Sequence, residues 1–172
     1  MNSKLYILCG IPFSGKTTLA KELERRLGFF RIDLDDVKFE LLGKDIKDEN
    51  VKQYQWDKVY LEMYQRIEKA LREGKTVVCD TGNFTKYERS LVKNIADKLG
   101  IETQVIFVDL PVTDARKRWV QNKENNNRFD ITEKSFEEAV NEMEPPKDNE
   151  NFIVYDSSRP IEELINNLGI QK

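Results

Sequence analysis

A glycine-rich stretch near the start of the chain has the composition of a phosphate-binding loop. In GIPFSGKTT, residues 10–18, four residues separate Gly10 from Gly15-Lys16-Thr17. Glycines allow a close approach of main-chain N–H groups, and a lysine in this position reaches the β- and γ-phosphates. The stretch follows an apolar run and precedes an amphipathic one, which favours a nucleoside triphosphate site, for ATP or GTP, over a chance match. The residues predicted to form this site are Gly10, Ile11, Pro12, Phe13, Ser14, Gly15, Lys16, Thr17 and Thr18.

Oxygen ligands suitable for Mg²⁺ occur at two places. The Thr17 hydroxyl follows the loop lysine, and Asp80 ends the apolar run VVCD. A carboxylate at the end of a strand beside a phosphate loop is the usual second anchor for Mg²⁺. In TGNF, which comes next, Thr81 and Asn83 orient a substrate or form a turn with Gly82.

Three carboxylates follow the second apolar run, in RIDLDDVK. Asp33, Asp35 and Asp36 come at the edge where sheets of this class bind ligands. A carboxylate there can accept the proton of a substrate hydroxyl, and we predict this role for Asp35. For Asp36 we predict a helix N-cap or a solvated side chain. Lys38, one turn further on, can meet an anionic part of the substrate, but composition favours a solvated lysine.

Cations outnumber acids in DARKRWVQNKENNNR, residues 114–128. They are Arg116, Lys117, Arg118, Lys123 and Arg128. Arginine at the edge of a phosphoryl-transfer site neutralises charge on the transferred group. On a helix, Arg116 and Lys123 lie near one face and Arg118 lies on another, so the five cations cannot all serve the site. For any single cation, a solvated position on the helix surface is the alternative to a role in the site. Because the cluster follows the fourth apolar run, we predict a lid over residues 116–131 that closes on nucleotide binding.

The elements that position these residues follow from alternating apolar and amphipathic runs. Strands are predicted at 5–10, 29–33, 75–80, 103–110 and 152–156. Helices are predicted at 16–27, 50–73, 86–100, 112–123 and 160–169, whereas 34–43 and the polar stretch 124–151 are assigned no element. Strand–helix alternation predicts an α/β fold with a parallel sheet covered on both faces. The length suits one domain, residues 1–172.

Composition excludes several classes of function. The net charge of −3 gives no general attraction to nucleic acid or to an anionic membrane. The chain has no histidine, which excludes histidine bases and histidine metal ligands. No apolar stretch approaches the ~20 residues of a membrane span, and we predict a cytoplasmic protein without a membrane partner. The two cysteines, Cys9 and Cys79, lie in apolar runs and are predicted to be buried thiols.

The ordered series of motifs resembles one family. This is the family of small P-loop kinases that groups the 5′-kinase domain of polynucleotide kinase with gluconate-kinase-like and zeta-toxin-like proteins. The series, which covers most of the chain, comprises GIPFSGKTT, DLDDVKFELLG, VVCDTGNFTKYER, FVDLPVTDARKRWVQN, FDITEKSFEEAVNEMEPP and VYDSSRPIEEL. The resemblance implies a P-loop NTPase three-layer sandwich with strand order 2-3-1-4-5 and a helical lid over the phosphates.

On the acceptor side, the resemblance implies that Asp35 activates the substrate hydroxyl and that Asp80 completes the Mg²⁺ shell. Lys38 stands where the family commonly has arginine. A lysine cannot bind phosphate through a bidentate fork, which argues against a 3′-phosphorylated nucleic-acid acceptor.

Further roles follow from the same resemblance. Asn83 and Arg89 belong to the substrate-side motif, and Arg116 or Arg118 is the catalytic arginine of the lid. Gln121 stands where a basic residue is frequent, so the choice between the two arginines stays open. The family's glutamate-proline-proline signature occurs as EPP at residues 144–146.

The predicted function is an ATP-dependent kinase that transfers the γ-phosphate to a hydroxyl of a small molecule or of a nucleotide or nucleic-acid end. One alternative is a zeta-toxin-like kinase of nucleotide sugars, and another is a regulatory nucleotide-binding ATPase. A guanine-type switch carries an Asn-Lys-x-Asp motif, whereas the nearest run here, NKEN at 122–125, ends in Asn. No basic stretch is long enough to follow a nucleic-acid strand. The sequence specifies neither the acceptor nor the oligomeric state.

Overall fold

A five-stranded parallel sheet forms the frame of the computed structural model, which describes residues 3–44, 46–125 and 131–168. Its strands are β1 (Lys4–Cys9), β2 (Phe30–Asp33), β3 (Val77–Asp80), β4 (Glu102–Asp109) and β5 (Phe152–Asp156). The helices are α1 (Lys16–Leu27), α2 (Leu34–Leu42), α3 (Gln53–Arg72), α4 (Lys86–Asp97), α5 (Val112–Asn125), α6 (Glu133–Glu142) and α7 (Ile161–Asn167). A 3₁₀ turn, Asp48–Asn50, precedes α3. The strand order is β2-β3-β1-β4-β5, which confirms the predicted α/β class and topology.

Alternation along β1 divides the core between the two faces of the sheet. Tyr6 and Leu8 pack among buried residues of α1 and α7. Leu5, Ile7 and Cys9 pack on the other face, among buried residues of α3 and α4. The central strand is therefore apolar on both sides, as expected for a parallel strand between two helical layers.

Helix α2 lies in a stretch to which the sequence pattern assigned no element. Its N-cap is Asp33, whose Oδ1 accepts from the main-chain N–H groups of Asp35 (2.8 Å) and Asp36 (3.4 Å). Of the two alternatives predicted for Asp36, the cap is therefore excluded, and its side chain is largely exposed. The cap must have an extended backbone, and Asp33, the last residue of β2, has φ −109° and ψ 128°.

Helix α6 lies within the polar stretch 124–151 and was also not predicted. Thr132 caps it, because its side chain accepts from the N–H of Ser135 at 3.1 Å. Phe136, which is buried, stacks on Trp119 of α5 with ring centroids 5.4 Å apart. Ala139 is also buried and Val140 packs against the same cluster, so a narrow apolar face of α6 fixes a segment that is otherwise polar.

The carboxyl edge of the sheet brings the candidate site residues together. The phosphate loop follows β1 directly, and Asp33 and Asp80 are register partners at the ends of β2 and β3. Cys9 and Cys79 are buried free thiols, as predicted. Within residues 3–44, 46–125 and 131–168, no helix has the length and apolar character needed to span a membrane.

Candidate active site

Two glycines shape the phosphate loop. Gly10 has φ +154°, and a Cβ on it would lie 2.7 Å from the carbonyl oxygen of Val108. Gly15 has φ +111° and forms the N-cap of α1 without a side-chain cap. The first N–H groups of α1 therefore remain available to an anion, and the loop backbone can approach it closely.

Lys16 lies folded into this loop. Its Nζ donates to the carbonyl oxygens of Gly10 (2.7 Å) and Ile11 (2.9 Å) and lies 5.8 Å from the ring centre of Phe84. Burial lowers the pKa of Lys16 to about 8, although the carboxylate of Asp80 acts in the opposite direction. A bound phosphate would favour the charged ammonium and raise this pKa.

Asp80 joins the phosphate loop to the acids of β2. Its Oδ1 accepts from the Thr17 hydroxyl at 3.2 Å, and its Oδ2 accepts from Arg31 at 3.1 Å. Burial and the charge of Asp33 raise the pKa of the Asp80 carboxyl, whereas Arg31 opposes the shift. Arg31 also forms ion pairs with Asp33 and with Asp36, the latter at 2.6 Å. The sequence analysis did not single out Arg31, although its two-residue spacing from Asp33 places both side chains on one face of β2.

Lys38 is buried against Asp35, contrary to the prediction of a solvated lysine. Its Nζ donates to Asp35 Oδ1 at 2.9 Å and to Asp48 Oδ1 at 2.6 Å. It also lies 4.6 Å from the ring centre of Phe39 and 5.7 Å from that of Trp56. Burial disfavours the charge, yet the hydrogen bonds to Asp48 and Asp35 hold the pKa of Lys38 above its usual value. Asp35 itself remains about half exposed.

Asn83 and Arg89 are both buried beneath the loops. Asn83 has φ +45°, consistent with a turn, and its Nδ2 donates to the carbonyl oxygen of Leu8 at 2.9 Å. Arg89 donates to both carboxylate oxygens of Glu150, at 2.7 and 2.9 Å. Its Nη1 also donates to the carbonyl oxygens of Asn83 and Phe84, each at 3.1 Å. These contacts tie the segment after β3 to the segment before β5.

The structure brings one of the two candidate arginines to the phosphate loop. The guanidinium of Arg118 donates to the carbonyl oxygen of Ser14 at 3.2 Å and to the hydroxyl of Ser157 at 3.3 Å. Arg116 instead forms an ion pair with Glu137 of α6. Ser157 was not predicted as a site residue, although it directly follows the carboxyl end of β5, where ligands bind in this class of sheet.

A cleft of about 250 Å³ lies between the loop and α5. Its lining residues are Phe13, Gly15, Thr18, Arg118, Gln121, Asn122 and Asn125. Of the predicted lid at 116–131, residues 116–125 belong to α5, whereas 126–130, which include Arg128, lie outside the described residues.

The arrangement combines two kinds of chemistry at one edge of the sheet. The loop, Lys16 and the N-terminus of α1 present hydrogen-bond donors and positive charge to a phosphate chain. The Thr17 hydroxyl and the Asp80 carboxylate are hard oxygen donors that suit Mg²⁺. Asp35 supplies a separate, accessible carboxylate that Lys38 holds by one oxygen.

Comparison with known proteins identifies the family. A family model described as an AAA domain matches residues 5–146. The chain belongs to the family that this model describes, and this family is the small P-loop kinase family that the motifs indicated. Shikimate kinase from Clostridium botulinum (strain 657 / Type Ba4) is 29% identical over 119 residues, which make up 69% of this chain. The match spans 66% of that enzyme, just under two thirds of its length.

Two solved structures share the fold of this P-loop kinase family member. APS kinase from Mycobacterium tuberculosis, in complex with AMPPNP and APS, has a TM-score of 0.67 and 17% identity, and covers 97% of this chain and 95% of its own. Kti12 from Chaetomium thermophilum, in complex with ADP-AlF3, has a TM-score of 0.73 and 18% identity, and covers 96% and 97%. Both structures are of proteins with a bound nucleotide.

Proposed function

We propose that the protein is a kinase that transfers the γ-phosphate of ATP to a hydroxyl group of a small molecule. The observation that carries this proposal is the accessible carboxylate of Asp35, oriented by Lys38 at the same edge of the sheet as the phosphate loop. A kinase needs a base that faces its acceptor, and Asp35 supplies one. The matched family of small P-loop kinases and the similarity to shikimate kinase support the reaction class.

Nucleotide binding is assigned to residues 10–18. On binding, the Lys16 ammonium exchanges its two carbonyl partners in the loop for phosphate oxygens, and the exposed N–H groups of α1 receive further oxygens. The cleft beside α5 can hold the nucleoside, and its polar lining fits a purine with hydrogen-bonding edges. ATP is favoured because the similar structures contain adenine nucleotides.

Thr17 and Asp80 are the residues that would hold Mg²⁺. Their side chains are already 3.2 Å apart, so one ion can meet both oxygens. When bound, the ion neutralises negative charge on the β- and γ-phosphates. Asp80 must be ionised for this role, and Arg31, at 3.1 Å, favours the ionised form.

Asp35 is the proposed general base. Its Oδ1 is held by Lys38, and its other oxygen can accept the proton of the acceptor hydroxyl. The hydroxyl oxygen bonds to the γ-phosphorus while the bond from that phosphorus to the bridging oxygen breaks, and ADP leaves. Asp33 is a weaker candidate because its two oxygens already accept from the N–H groups of α2 and from Arg31.

Arg118 is the proposed arginine of the lid, because its guanidinium contacts Ser14 of the phosphate loop and Ser157 after β5. Nucleotide phosphates would compete for its guanidinium and draw α5 toward the loop. Hydrogen exchange with and without AMPPNP tests this motion. We expect residues 116–125 to become more protected with the nucleotide, and equal protection in both states would argue against a lid.

Substitution of Asp35 tests the kinase assignment. We expect Asp35→Asn to lower kcat by roughly 10²-fold or more, the size of general-base loss, with nucleotide affinity nearly unchanged. Asp36→Asn is the matched control, since Asp36 lies one residue away and pairs with Arg31 instead. The measurement is ADP formation with a panel of hydroxyl acceptors, beside a titration with AMPPNP. Full transfer by the Asp35→Asn variant, or release of phosphate only to water in every case, would contradict the proposal.

A further inference from the structure

We propose that the acceptor of this kinase is a neutral or cationic hydroxyl compound, and that Asp48 enforces this preference by neutralising Lys38. The inference depends on the kinase function proposed above, since it concerns the substrate of the same site. It assigns a role to Asp48, which lies in the 3₁₀ turn before α3, outside the motifs that define the phosphate loop and the base.

The first observation is the environment of Lys38. Its side chain has no exposed surface, and its Nζ donates to two carboxylates, Asp35 at 2.9 Å and Asp48 at 2.6 Å. One ammonium therefore faces two negative charges, and the side chains of Lys38, Asp35 and Asp48 together carry a net negative charge. An anionic acceptor that approaches Asp35 finds Lys38 covered by Asp48 and meets repulsion rather than an ion pair.

The second observation is that Arg31, a second cation of this region, is also paired with several carboxylates. It forms ion pairs with Asp33, Asp36 and Asp80, the last at 3.1 Å, and only 13% of its side chain is exposed. Each cation that contacts the acids of β2 and α2 within the described ranges is thus outnumbered by carboxylates. Lys44 and Lys47, in the segment before Asp48, are exposed and form no ion pair with these acids in the described part of the chain.

The third observation concerns position. Asp48 reaches Lys38 from ten residues away, and Lys38 in turn holds the proposed base. The segment that carries Asp48 is thereby attached to the acceptor side of the site. The carboxylate side chains of Asp35 and Asp48 are each about half exposed. Both can thus meet a bound acceptor, and a protonated amine or a hydroxyl donor is the complementary group.

The test uses two sets of three acceptors, and within each set a neutral, an acidic and an amine compound share one carbon skeleton. The probes are glucose, gluconate and glucosamine, and glycerol, glycerate and 3-amino-1,2-propanediol. Transfer from γ-labelled ATP is measured for the wild-type chain, for Asp48→Asn and for Glu49→Gln. Glu49 is an exposed neighbouring acid in the same turn with no ion pair in the described ranges, so its substitution is the matched control.

We expect kcat/KM for the acid of each set to be at least 10-fold below that for the neutral or amine member. Asp48→Asn should raise the acid-to-neutral ratio by 10-fold or more, because Lys38 then loses one of the two carboxylates that it contacts in the described ranges, and Glu49→Gln should leave the ratio unchanged. Preferred transfer to an acid by the wild type, or an unchanged ratio in Asp48→Asn, overturns the inference while the kinase function stands. Binding of ATP without transfer to any of the six compounds counts against the kinase function and against this inference with it.

A second measurement is independent of the acceptor. In protein labelled with ¹⁵N-lysine, the buried, doubly hydrogen-bonded Lys38 ammonium should give a slowly exchanging resonance that persists to higher pH than those of exposed lysines. Lys38→Arg assigns the resonance, and Asp48→Asn should shift it. If the Lys38 ammonium exchanges as fast as those of exposed lysines, its pairing with Asp48 is refuted.

Discussion

Arg89→Met separates a structural role of this arginine from a role in substrate binding. The Arg89 side chain is only 2% exposed and donates to both oxygens of Glu150. It also donates to the carbonyl oxygens of Asn83 and Phe84, in the segment that follows β3. Methionine retains an unbranched apolar chain but has no donor, so the change leaves a nearly buried carboxylate and two carbonyl groups without these hydrogen bonds.

The expected loss of stability follows from this geometry. Removing one partner of a buried ion pair typically costs about 3–5 kcal/mol, because the other charge stays buried and unpaired. For a chain of 172 residues, this corresponds to a fall in Tm of roughly 6–20 °C. The double variant Arg89→Met/Glu150→Gln should lose less than the sum of the two single changes, since neither charge is then left without its partner.

The assay is urea unfolding followed by circular dichroism, with acceptor KM measured on the same variants. Lys93→Met is the control: it breaks the Lys93–Asp97 pair on the same helix, where both side chains are about half exposed. Exposed pairs contribute less than about 1 kcal/mol, so this control should barely change stability. If Arg89→Met unfolds like the wild type and instead raises the acceptor KM several-fold, Arg89 binds substrate and the structural argument is wrong.

Three further predictions concern nucleotide binding. Gly10→Ala should weaken AMPPNP binding at least 10-fold, because its Cβ would lie 2.7 Å from the Val108 carbonyl oxygen, and wild-type affinity in a calorimetric titration would show that the loop can adjust. Asp80→Asn should abolish most of the Mg²⁺ dependence of nucleotide binding, so that titration curves measured at several Mg²⁺ concentrations coincide. A Mg²⁺ dependence like that of the wild type would place the ion elsewhere. The third prediction concerns pH: the free protein has a Lys16 pKa of about 8 and bound phosphates raise it, so AMPPNP affinity should be greatest below pH 8 and should fall as the pH rises through 8. Lys16→Arg, which stays charged, should flatten this profile between pH 7.5 and 9.5, and a flat wild-type profile would refute the assignment.

Much of the fold is predictable because its signals are local. The phosphate loop lies between a strand and a helix that adjoin it in the chain, and α1 ends at Gly28, as its pattern of leucines and the glycine indicate. Strands and helices alternate along the sequence. Because parallel strands must be joined by crossover connections, usually helices, this alternation indicates the α/β class. Helix α6 was not predicted because its narrow apolar face, centred on Phe136, is buried only by contact with Trp119 and other residues distant in sequence, and polar residues surround that face.

The candidate site also has a part that was predictable from local sequence and a part that was not. The types and spacing of Gly10, Lys16, Thr17 and Asp35 were sufficient to indicate phosphate binding and a candidate base, since each role depends on a residue and its position relative to an element. The choice of Asp33 rather than Asp36 as the cap of α2 depended on where β2 ends, a boundary that pattern alone places to within a few residues.

The sequence by itself indicated the phosphate-loop motif and the α/β class, because these depend on contiguous residues and on the periodicity of apolar residues, and its ordered motifs indicated the family and, through that resemblance, the strand order. Only the tertiary structure decided which groups the cations contact. Lys38 meets Asp48 across ten residues, Arg31 meets Asp80 across 49, and Arg118 meets Ser14 across 104. Charge pairing depends on distances of a few ångströms and on burial, both of which are set by the packing of separate elements. The sequence shows that these residues are charged, and the fold determines which of them can still act on a substrate.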